Sequence, residues 1–141
     1  IEITESLLMK DAEKNISMVK QLRNGGLRVS IDDFGTRYSS LNYLRRFPIN
    51  SIKIDQSFVR DLNPTNYSST SIIHAISCIA RSFGLRILAE GVETEAQRKL
   101  LSDLACNDMQ GFLFSQPLSA AEFEHFLNAS AFPCRAQLPA C

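Results

Sequence analysis

The sequence lacks the features of a nucleic-acid-binding, disulfide-rich or membrane-spanning protein. Fifteen basic and fifteen acidic residues cancel to zero net charge, whereas binding to a DNA or RNA polymer needs a clustered basic excess. No run of about 18 apolar residues is present, and the first residues lack the positively charged region of a signal peptide. The four cysteines form no CxxC pair, which favours reduced thiols and a cytoplasmic location.

The remaining pattern is that of one α/β domain, or part of one, in 141 residues. Alternation of apolar and polar residues predicts five β-strands, at residues 1–5, 27–32, 51–55, 85–90 and 109–113. Helical spacing predicts helices at about residues 10–24, 41–47, 57–62, 69–83, 94–105 and 119–128. In the second strand, Leu27, Val29 and Ile31 are expected to face the covering helices. Thr94 with Gln97, and Ser119 with Glu122, have the spacing of capping boxes.

Strands that alternate with helices predict a parallel sheet. Two architectures fit: a complete five-stranded doubly wound sheet, or five of the eight units of a (β/α)8 barrel, which normally needs about 250 residues. Each predicted strand carries polar residues on its inner face, whereas strands covered on both faces are nearly continuous apolar runs. This difference favours the barrel.

Charged and polar side chains gather at the carboxyl ends of the predicted strands, where parallel α/β folds bind ligands. They are Glu2, Asp32, Asp33, Lys53, Glu90 and Gln110. The adjacent carboxylates of Asp32 and Asp33 repel each other, and divalent cations between them would keep both ionised. The alternative is a solvated turn after the strand, since aspartates favour turns.

Five segments carry a resemblance to the EAL domains, which are bacterial cyclic di-GMP phosphodiesterases. They are residues 1–6 (IEITES), 32–41 (DDFGTRYSSL), 53–58 (KIDQSF), 89–94 (AEGVET) and 110–117 (QGFLFSQP). The resemblance implies a TIM-type (β/α)8 barrel of which this chain supplies about the last five units. Residues 1–130 would then be the C-terminal portion of the domain, and the two prolines of residues 131–141 predict an irregular tail. The Glu-Ala-Leu segment and an asparagine ligand of the family would lie upstream of Ile1.

The resemblance also implies a two-metal site for Mg²⁺ or Mn²⁺ that hydrolyses cyclic di-GMP to linear 5′-pGpG. Asp32 would bridge the metals, Glu2 would bind the first, and Asp33 and Glu90 the second. Lys53 and Gln110 would orient water or phosphate, with Glu90 as the third catalytic residue. Glu5 would support the loop after Asp33, and Glu93 would support the site from behind. Phe114 and Pro117 are candidates for contact with the substrate.

Further expectations concern partners and this chain taken alone. The resemblance implies a homodimer through the loop after Asp33, an upstream sensor or GGDEF domain, and a cytoplasmic protein that an upstream segment could anchor to the inner membrane. Arg37 stands in that loop where the family usually has glycine. Without the upstream ligands, we expect residues 1–141 alone to be inactive.

Three duller or competing interpretations remain open at this point. Lys53 and Asp55 would form an ordinary ion pair inside a barrel. A degenerate EAL domain would act as a regulatory module that binds cyclic di-GMP or a protein partner. A phospho-acceptor receiver domain also gathers aspartates and a lysine at strand ends, but its acidic pair follows the first strand and here the pair follows the second.

Overall fold

The computed structural model describes residues 1–36, 41–63 and 67–129, and in these residues five β-strands alternate with α-helices. The strands are β1 (Glu2–Thr4), β2 (Ser30–Phe34), β3 (Ser51–Ile54), β4 (Arg86–Ala89) and β5 (Asp108–Met109). The helices are α1 (Glu5–Lys10), α2 (Ala12–Asn24), α3 (Leu41–Leu44), α4 (Gln56–Arg60), α5 (Tyr67–Ser82), α6 (Glu95–Asp103) and α7 (Ala120–Ala129).

The strands form one parallel sheet whose spatial order follows the sequence, β1-β2-β3-β4-β5. A doubly wound sheet changes direction at a switch point, so its spatial order departs from the sequence order. Right-handed crossovers that step the same way each time produce the wall of a barrel. The sheet is therefore an arc of a TIM-type (β/α)8 barrel, and the alternative of a doubly wound sheet is wrong.

The core lies between the sheet and the helices and is built on a row of isoleucines. Ile31 pairs in register with Ile52, and Ile52 with Ile87, and all three are fully buried. Burying one such side chain stabilises the fold by about 1.5–3 kcal/mol. Since side chains alternate along a strand, this row directs the next residue of β3, Lys53, to the opposite face.

The predicted first helix begins earlier than its spacing indicated. Glu5, which was expected to end the first strand, begins α1, and Asp11 separates α1 from α2. Leu27 was expected to be buried and is 46% exposed. It lies in the turn after α2, where its backbone N–H donates to the Leu22 carbonyl at 3.2 Å, and β2 begins only at Ser30.

The fifth strand is shorter than the predicted residues 109–113. After β5 the chain turns at Gly111, and the Phe114 backbone N–H donates to the Gly111 carbonyl at 3.1 Å. Gln110 therefore directly follows the strand and remains beside the end of β4. The apolar residues 112–114 favoured a longer predicted strand, but in the structure only Leu113 of the three packs against the core, while Phe112 and Phe114 are exposed.

Both predicted capping boxes are present. Thr94 Oγ1 accepts from the Gln97 backbone at 3.2 Å, and Gln97 Oε1 accepts from the Thr94 backbone at 3.0 Å. Ser119 donates its backbone N–H to Glu122 Oε2 at 2.8 Å. The helix after Ser119 ends at Ala129, so the predicted tail lies outside the described residues. Within the described ranges, no helix combines the length and apolar character needed to cross a bilayer.

Candidate metal centre

Lys53 lies at the middle of four acidic side chains, Glu2, Asp32, Asp33 and Glu90, which we call the acidic cluster. Its side chain is only 5% exposed, and its ammonium contacts three carboxylates carried by different strand ends. Nζ lies 2.7 Å from Glu2, 3.0 Å from Asp32 and 2.8 Å from Glu90. The predicted acidic residues of β1, β2 and β4 are thus brought together around β3, which stands between β2 and β4.

The surroundings of Lys53 fix its charge. Burial works against the ammonium, but hydrogen bonds to Glu2, Glu90 and Asp32 outweigh this effect and raise the pKa of Lys53 above its ordinary value. Lys53 is therefore a cation at neutral pH and is not a candidate general base. The interpretation of an ion pair with Asp55 is wrong, because Asp55 instead caps α4 and accepts from the Ser57 backbone at 2.9 Å.

Asp32 and Asp33 approach the same point because of a local distortion in β2. Adjacent strand residues normally face opposite sides of a sheet. Here the pairing of β2 with β3 shifts register between Ile31 and Phe34, and Asp33 has a left-handed φ of 54°. Such a conformation is costly for a residue with a Cβ, of the order of 1–2 kcal/mol. Strain of this kind occurs preferentially at ligand sites.

The distortion produces a group of oxygen donors that fits a divalent cation. Asp32, Asp33 and Glu90 each offer a carboxylate oxygen, and these oxygens lie within 4.8 Å of one another. Oδ1 of Asp32 is buried, and the Lys53 ammonium lies 3.0 Å from it. Carboxylate oxygens are the ligands that Mg²⁺ and Mn²⁺ prefer. The predicted ligand Glu2 lies outside this group of three and contacts the Lys53 ammonium at 2.7 Å.

Gln110 contacts the cluster from the last strand. Its Nε2 donates to Glu90 Oε1 at 2.8 Å, the same oxygen that contacts Lys53. The Gln110 backbone N–H donates to the Ala89 carbonyl at 2.9 Å, which continues the ladder between β4 and β5. Gln110 therefore orients the Glu90 carboxylate toward Lys53 and the two aspartates.

Two further acidic residues, Glu5 and Glu93, lie near the cluster in different surroundings. Glu5 is 2% exposed, and its Oε2 accepts from the Gly35 backbone at 3.2 Å. This contact ties the start of the loop after Asp33 to α1, while residues 37–40 of that loop, including Arg37, lie outside the described residues. Glu93 has an exposed side chain, and its backbone N–H donates to Gln97 Oε1 at 2.9 Å.

A pocket of about 580 Å³ adjoins the cluster. Its polar wall includes Glu90, Glu93 and Gln110, and its apolar wall includes Phe112 and Pro117. Phe114 is 40% exposed and is not among the lining residues. Leu118, Phe123 and Phe126 also line this pocket. Sequence reasoning missed them because local spacing does not show where α7 lies relative to β5.

Gly111 permits the turn that places Gln110, and we expect Gly111→Ala to destabilise the protein strongly. A Cβ at this position would lie 2.3 Å from the backbone nitrogen and oxygen of Val92, at a φ of 154°. Relief of this clash requires movement of the backbone, for which we expect a loss of about 3 kcal/mol or more in the free energy of unfolding, measured by urea denaturation.

Gly84→Ala is the matched control for this substitution. Gly84 also has a positive φ, 67°, but an added Cβ would meet nothing within 4 Å. Its cost should be about 1 kcal/mol, from backbone conformation alone. Equal losses in the two variants would contradict a close packing of Gly111 on Val92.

The fold and the cluster define an α/β-barrel protein with an acidic, oxygen-donor site at the carboxyl ends of its strands. The sequence profile of the EAL domain family matches residues 1–117, and the chain belongs to this family. The chain is 44% identical over 132 residues to the cyclic di-GMP phosphodiesterase NbdA of Pseudomonas aeruginosa, an alignment that covers 94% of this chain and 17% of that protein.

Two of the solved structures that are similar to this chain are complexes with cyclic di-GMP. The PaMucR phosphodiesterase in complex with c-di-GMP has a TM-score of 0.83 and 45% identity, over 86% of this chain and 49% of that one. BlrP1 of Klebsiella pneumoniae, a manganese and cyclic di-GMP complex, has a TM-score of 0.73 and 35% identity, over 83% of this chain and 30% of that one. The chain thus spans under a fifth of NbdA and half or less of these structures.

Proposed function

We propose that this chain carries part of the active site of a metal-dependent cyclic di-GMP phosphodiesterase, which cleaves one phosphodiester bond and releases linear 5′-pGpG. The observation that carries the proposal is the convergence of Asp32, Asp33 and Glu90 within 4.8 Å beside the buried ammonium of Lys53. The names of the similar proteins, which include phosphodiesterases and complexes with the dinucleotide, support the choice of substrate.

The donor set suits two Mg²⁺ or Mn²⁺ ions. Asp32 would be the shared ligand, Glu2 would bind the first ion, and Asp33 and Glu90 would bind the second. When bound, such ions lower the pKa of a coordinated water and stabilise the attacking and leaving oxygens of phosphoryl transfer. We propose that the Lys53 ammonium orients the attacking water or a phosphate oxygen. Gln110 can both donate and accept a hydrogen bond, so it can hold Glu90 and a water at once.

The remaining predicted residues act around this centre. We propose that Glu5 holds the Asp33 loop through Gly35, and that Glu93 shapes the pocket wall next to Glu90. Pro117 lines the pocket and offers an apolar surface to a guanine base. Phe114 lies in sequence between the lining residues Phe112 and Ser115 and stays a predicted substrate contact. Glu90 is the proposed metal ligand that lines the pocket, so a dinucleotide bound there would approach the cluster at Glu90.

The second candidate function is a regulatory module that binds cyclic di-GMP without cleaving it. The favouring observation is that Lys53 already contacts Glu2, Asp32 and Glu90, three of the four proposed metal ligands. If those contacts persist when the nucleotide binds, the carboxylates are not free to hold two cations. Whether Lys53 keeps these contacts in the nucleotide complex therefore distinguishes binding without cleavage from hydrolysis.

The test uses the complete domain, by which we mean this chain together with the upstream segment found in its relatives. Cyclic di-GMP is incubated with it and Mn²⁺ or Mg²⁺, and the products are separated by liquid chromatography and identified by mass. We expect pGpG with either ion and none after addition of EDTA. Tight binding of the dinucleotide without a linear product would favour the regulatory module.

We expect residues 1–141 alone to hydrolyse no cyclic di-GMP. In the described sheet, β1 and β5 each pair with one neighbour, and α7 contributes no buried residue. Unpaired strand edges and exposed apolar surface favour self-association. Sedimentation and the product assay together measure this outcome. Mg²⁺-dependent formation of pGpG by a 141-residue monomer of verified mass would contradict it.

Partners and location stay predictions. The similar MucR of Pseudomonas aeruginosa is a bifunctional diguanylate cyclase and phosphodiesterase, which supports a GGDEF domain upstream in the parent of this chain. A homodimer through the loop after Asp33 depends on residues 37–40, outside the described residues. We also propose a cytoplasmic site of action, where an intracellular nucleotide signal is available.

A further inference from the structure

We infer that Gln97 is a positioning residue of the candidate metal centre, which acts by fixing the segment 90–93 between β4 and α6. The inference rests on the proposed metal-dependent function, because it concerns how Glu90 and Glu93 are held for a cation and its substrate. Gln97 is 8% exposed and lies in the first turn of α6. Its side chain touches no proposed ligand, so its effect would pass through the backbone.

The segment 90–93 has no regular secondary structure, so individual hydrogen bonds decide its shape. Its first three residues are held by neighbouring parts of the chain. The Glu90 backbone N–H donates to the Ile54 carbonyl at 3.2 Å, and that of Val92 donates to the Gln110 carbonyl at 3.0 Å. Gly91, with a φ of 69°, packs so closely that an added Cβ would lie 2.7 Å from Cβ of Gln56. These contacts hold the segment as far as Val92.

Gln97 fixes the last residue of the segment, Glu93, together with the cap residue Thr94. Its Oε1 accepts from the backbone of Glu93 at 2.9 Å and from that of Thr94 at 3.0 Å. Its Nε2 donates to the Val59 carbonyl of α4 at 3.1 Å. Of the three bonds made by the Gln97 side chain, a capping box needs only the one between Oε1 and the backbone of the cap residue, here Thr94. The bonds to Glu93 and Val59 are additional, and they connect the segment to the helix that follows the strand of Lys53.

The network joins these bonds to the acidic cluster. Displacement of Glu93 would pull on Val92, whose N–H is bonded to the Gln110 carbonyl. The Gln110 side chain in turn donates to Glu90 Oε1. Residues hydrogen-bonded directly to metal ligands typically change metal affinity by about 10–100-fold when replaced, and an effect relayed through Val92 and Gln110 should lie at the low end of this range. Loss of Gln97 should therefore weaken metal binding without removing any ligand.

The test compares Gln97→Met with Thr94→Ala in the complete domain. The Gln97→Met side chain keeps its approximate shape but makes none of the three bonds. Thr94→Ala removes the other half of the capping box, in which Thr94 Oγ1 accepts from the Gln97 backbone, and leaves the bonds of the Gln97 side chain in place. Both variants should lower the unfolding temperature, so the unfolding temperature serves as the measure of lost helix capping.

The first readout is Mn²⁺ affinity, measured with Mn²⁺ alone by electron paramagnetic resonance. We expect the Kd to rise by about tenfold in Gln97→Met and to stay within twofold of wild type in Thr94→Ala. Equal Kd values in the two variants would overturn the inference and leave Gln97 as a capping residue. If Gln97→Met does not fold, Gln97→Glu, which loses the donor to Val59, takes its place, with an expected rise of at least threefold.

The second readout separates the inference from the proposed function. Exchange of the Glu93 backbone amide is followed by NMR without metal, and we expect it to be at least tenfold faster in the Gln97 variant and unchanged in Thr94→Ala. If the wild type binds no Mn²⁺, the proposed metal centre fails. The exchange rates still decide whether Gln97 positions the segment: equal Glu93 exchange in all three proteins would overturn that role.

Discussion

Asp32→Asn is expected to abolish hydrolysis of cyclic di-GMP by the complete domain, with a fall in kcat of about 10³-fold. Asp32 would be the ligand shared by both cations, so loss of its charge disturbs both. Asparagine has nearly the same shape, and although the charge of the Asp32–Lys53 ion pair at 3.0 Å is lost, Lys53 keeps Glu2 and Glu90 as partners. The fold should therefore persist, and circular dichroism should show an unfolding temperature close to that of wild type.

Asp103→Asn is the control for loss of an aspartate charge. Asp103 is exposed at the end of α6, away from the cluster, and its replacement should leave kcat unchanged. If Asp32→Asn turns over substrate within a few-fold of wild type, Asp32 is not a shared ligand. The proposed arrangement of the metals would then be wrong even if the domain proved to be a phosphodiesterase.

Lys53→Met is expected to lower kcat by about 10²-fold while Mn²⁺ affinity stays within a few-fold. The ammonium orients a reacting oxygen in our account, and it cannot itself ligate a cation. The same change removes the only partner common to Glu2, Asp32 and Glu90 among the described residues. Without metal, the free energy of unfolding should therefore fall by about 3 kcal/mol. This value is at the low end of the loss expected when one partner of a buried ion pair is removed, because Glu2 is half exposed.

Mn²⁺ should restore much of the stability of the Lys53→Met variant, since a cation again neutralises the carboxylates. Calorimetry with and without Mn²⁺ measures this recovery. Lys99→Met, at an exposed position of α6, controls for loss of a lysine charge and should alter neither property. Loss of Mn²⁺ binding in Lys53→Met would instead mean that Lys53 is a structural part of the metal site.

The sequence was sufficient to predict five strands and the side chains at their ends because both follow from short periodicities. Ile31, Ile52 and Ile87 mark one face of the sheet, and the alternation alone places Lys53 on the other. The capping boxes at Thr94 and Ser119 were readable because each depends on two side chains three residues apart. The EAL resemblance then selected the barrel over the doubly wound sheet, and the strand order supports that choice independently.

Other features depend on contacts between residues far apart in sequence. Alternation places Asp32 and Asp33 on opposite faces, and only the left-handed φ of Asp33 brings them together. The position of α7 beside the pocket is likewise set by tertiary packing. Gln97 was predicted as a capping residue, but its bond to the Val59 carbonyl spans 38 residues and leaves no local pattern.

The most direct test of the two-metal centre is anomalous X-ray scattering from crystals of the complete domain grown with Mn²⁺ and cyclic di-GMP. The account predicts two manganese peaks about 3.5–4 Å apart, with an Asp32 oxygen between them, Glu2 beside one, and Asp33 and Glu90 beside the other. Bound dinucleotide with no peak at the cluster, and with Lys53 still in contact with Glu2, Asp32 and Glu90, would contradict it.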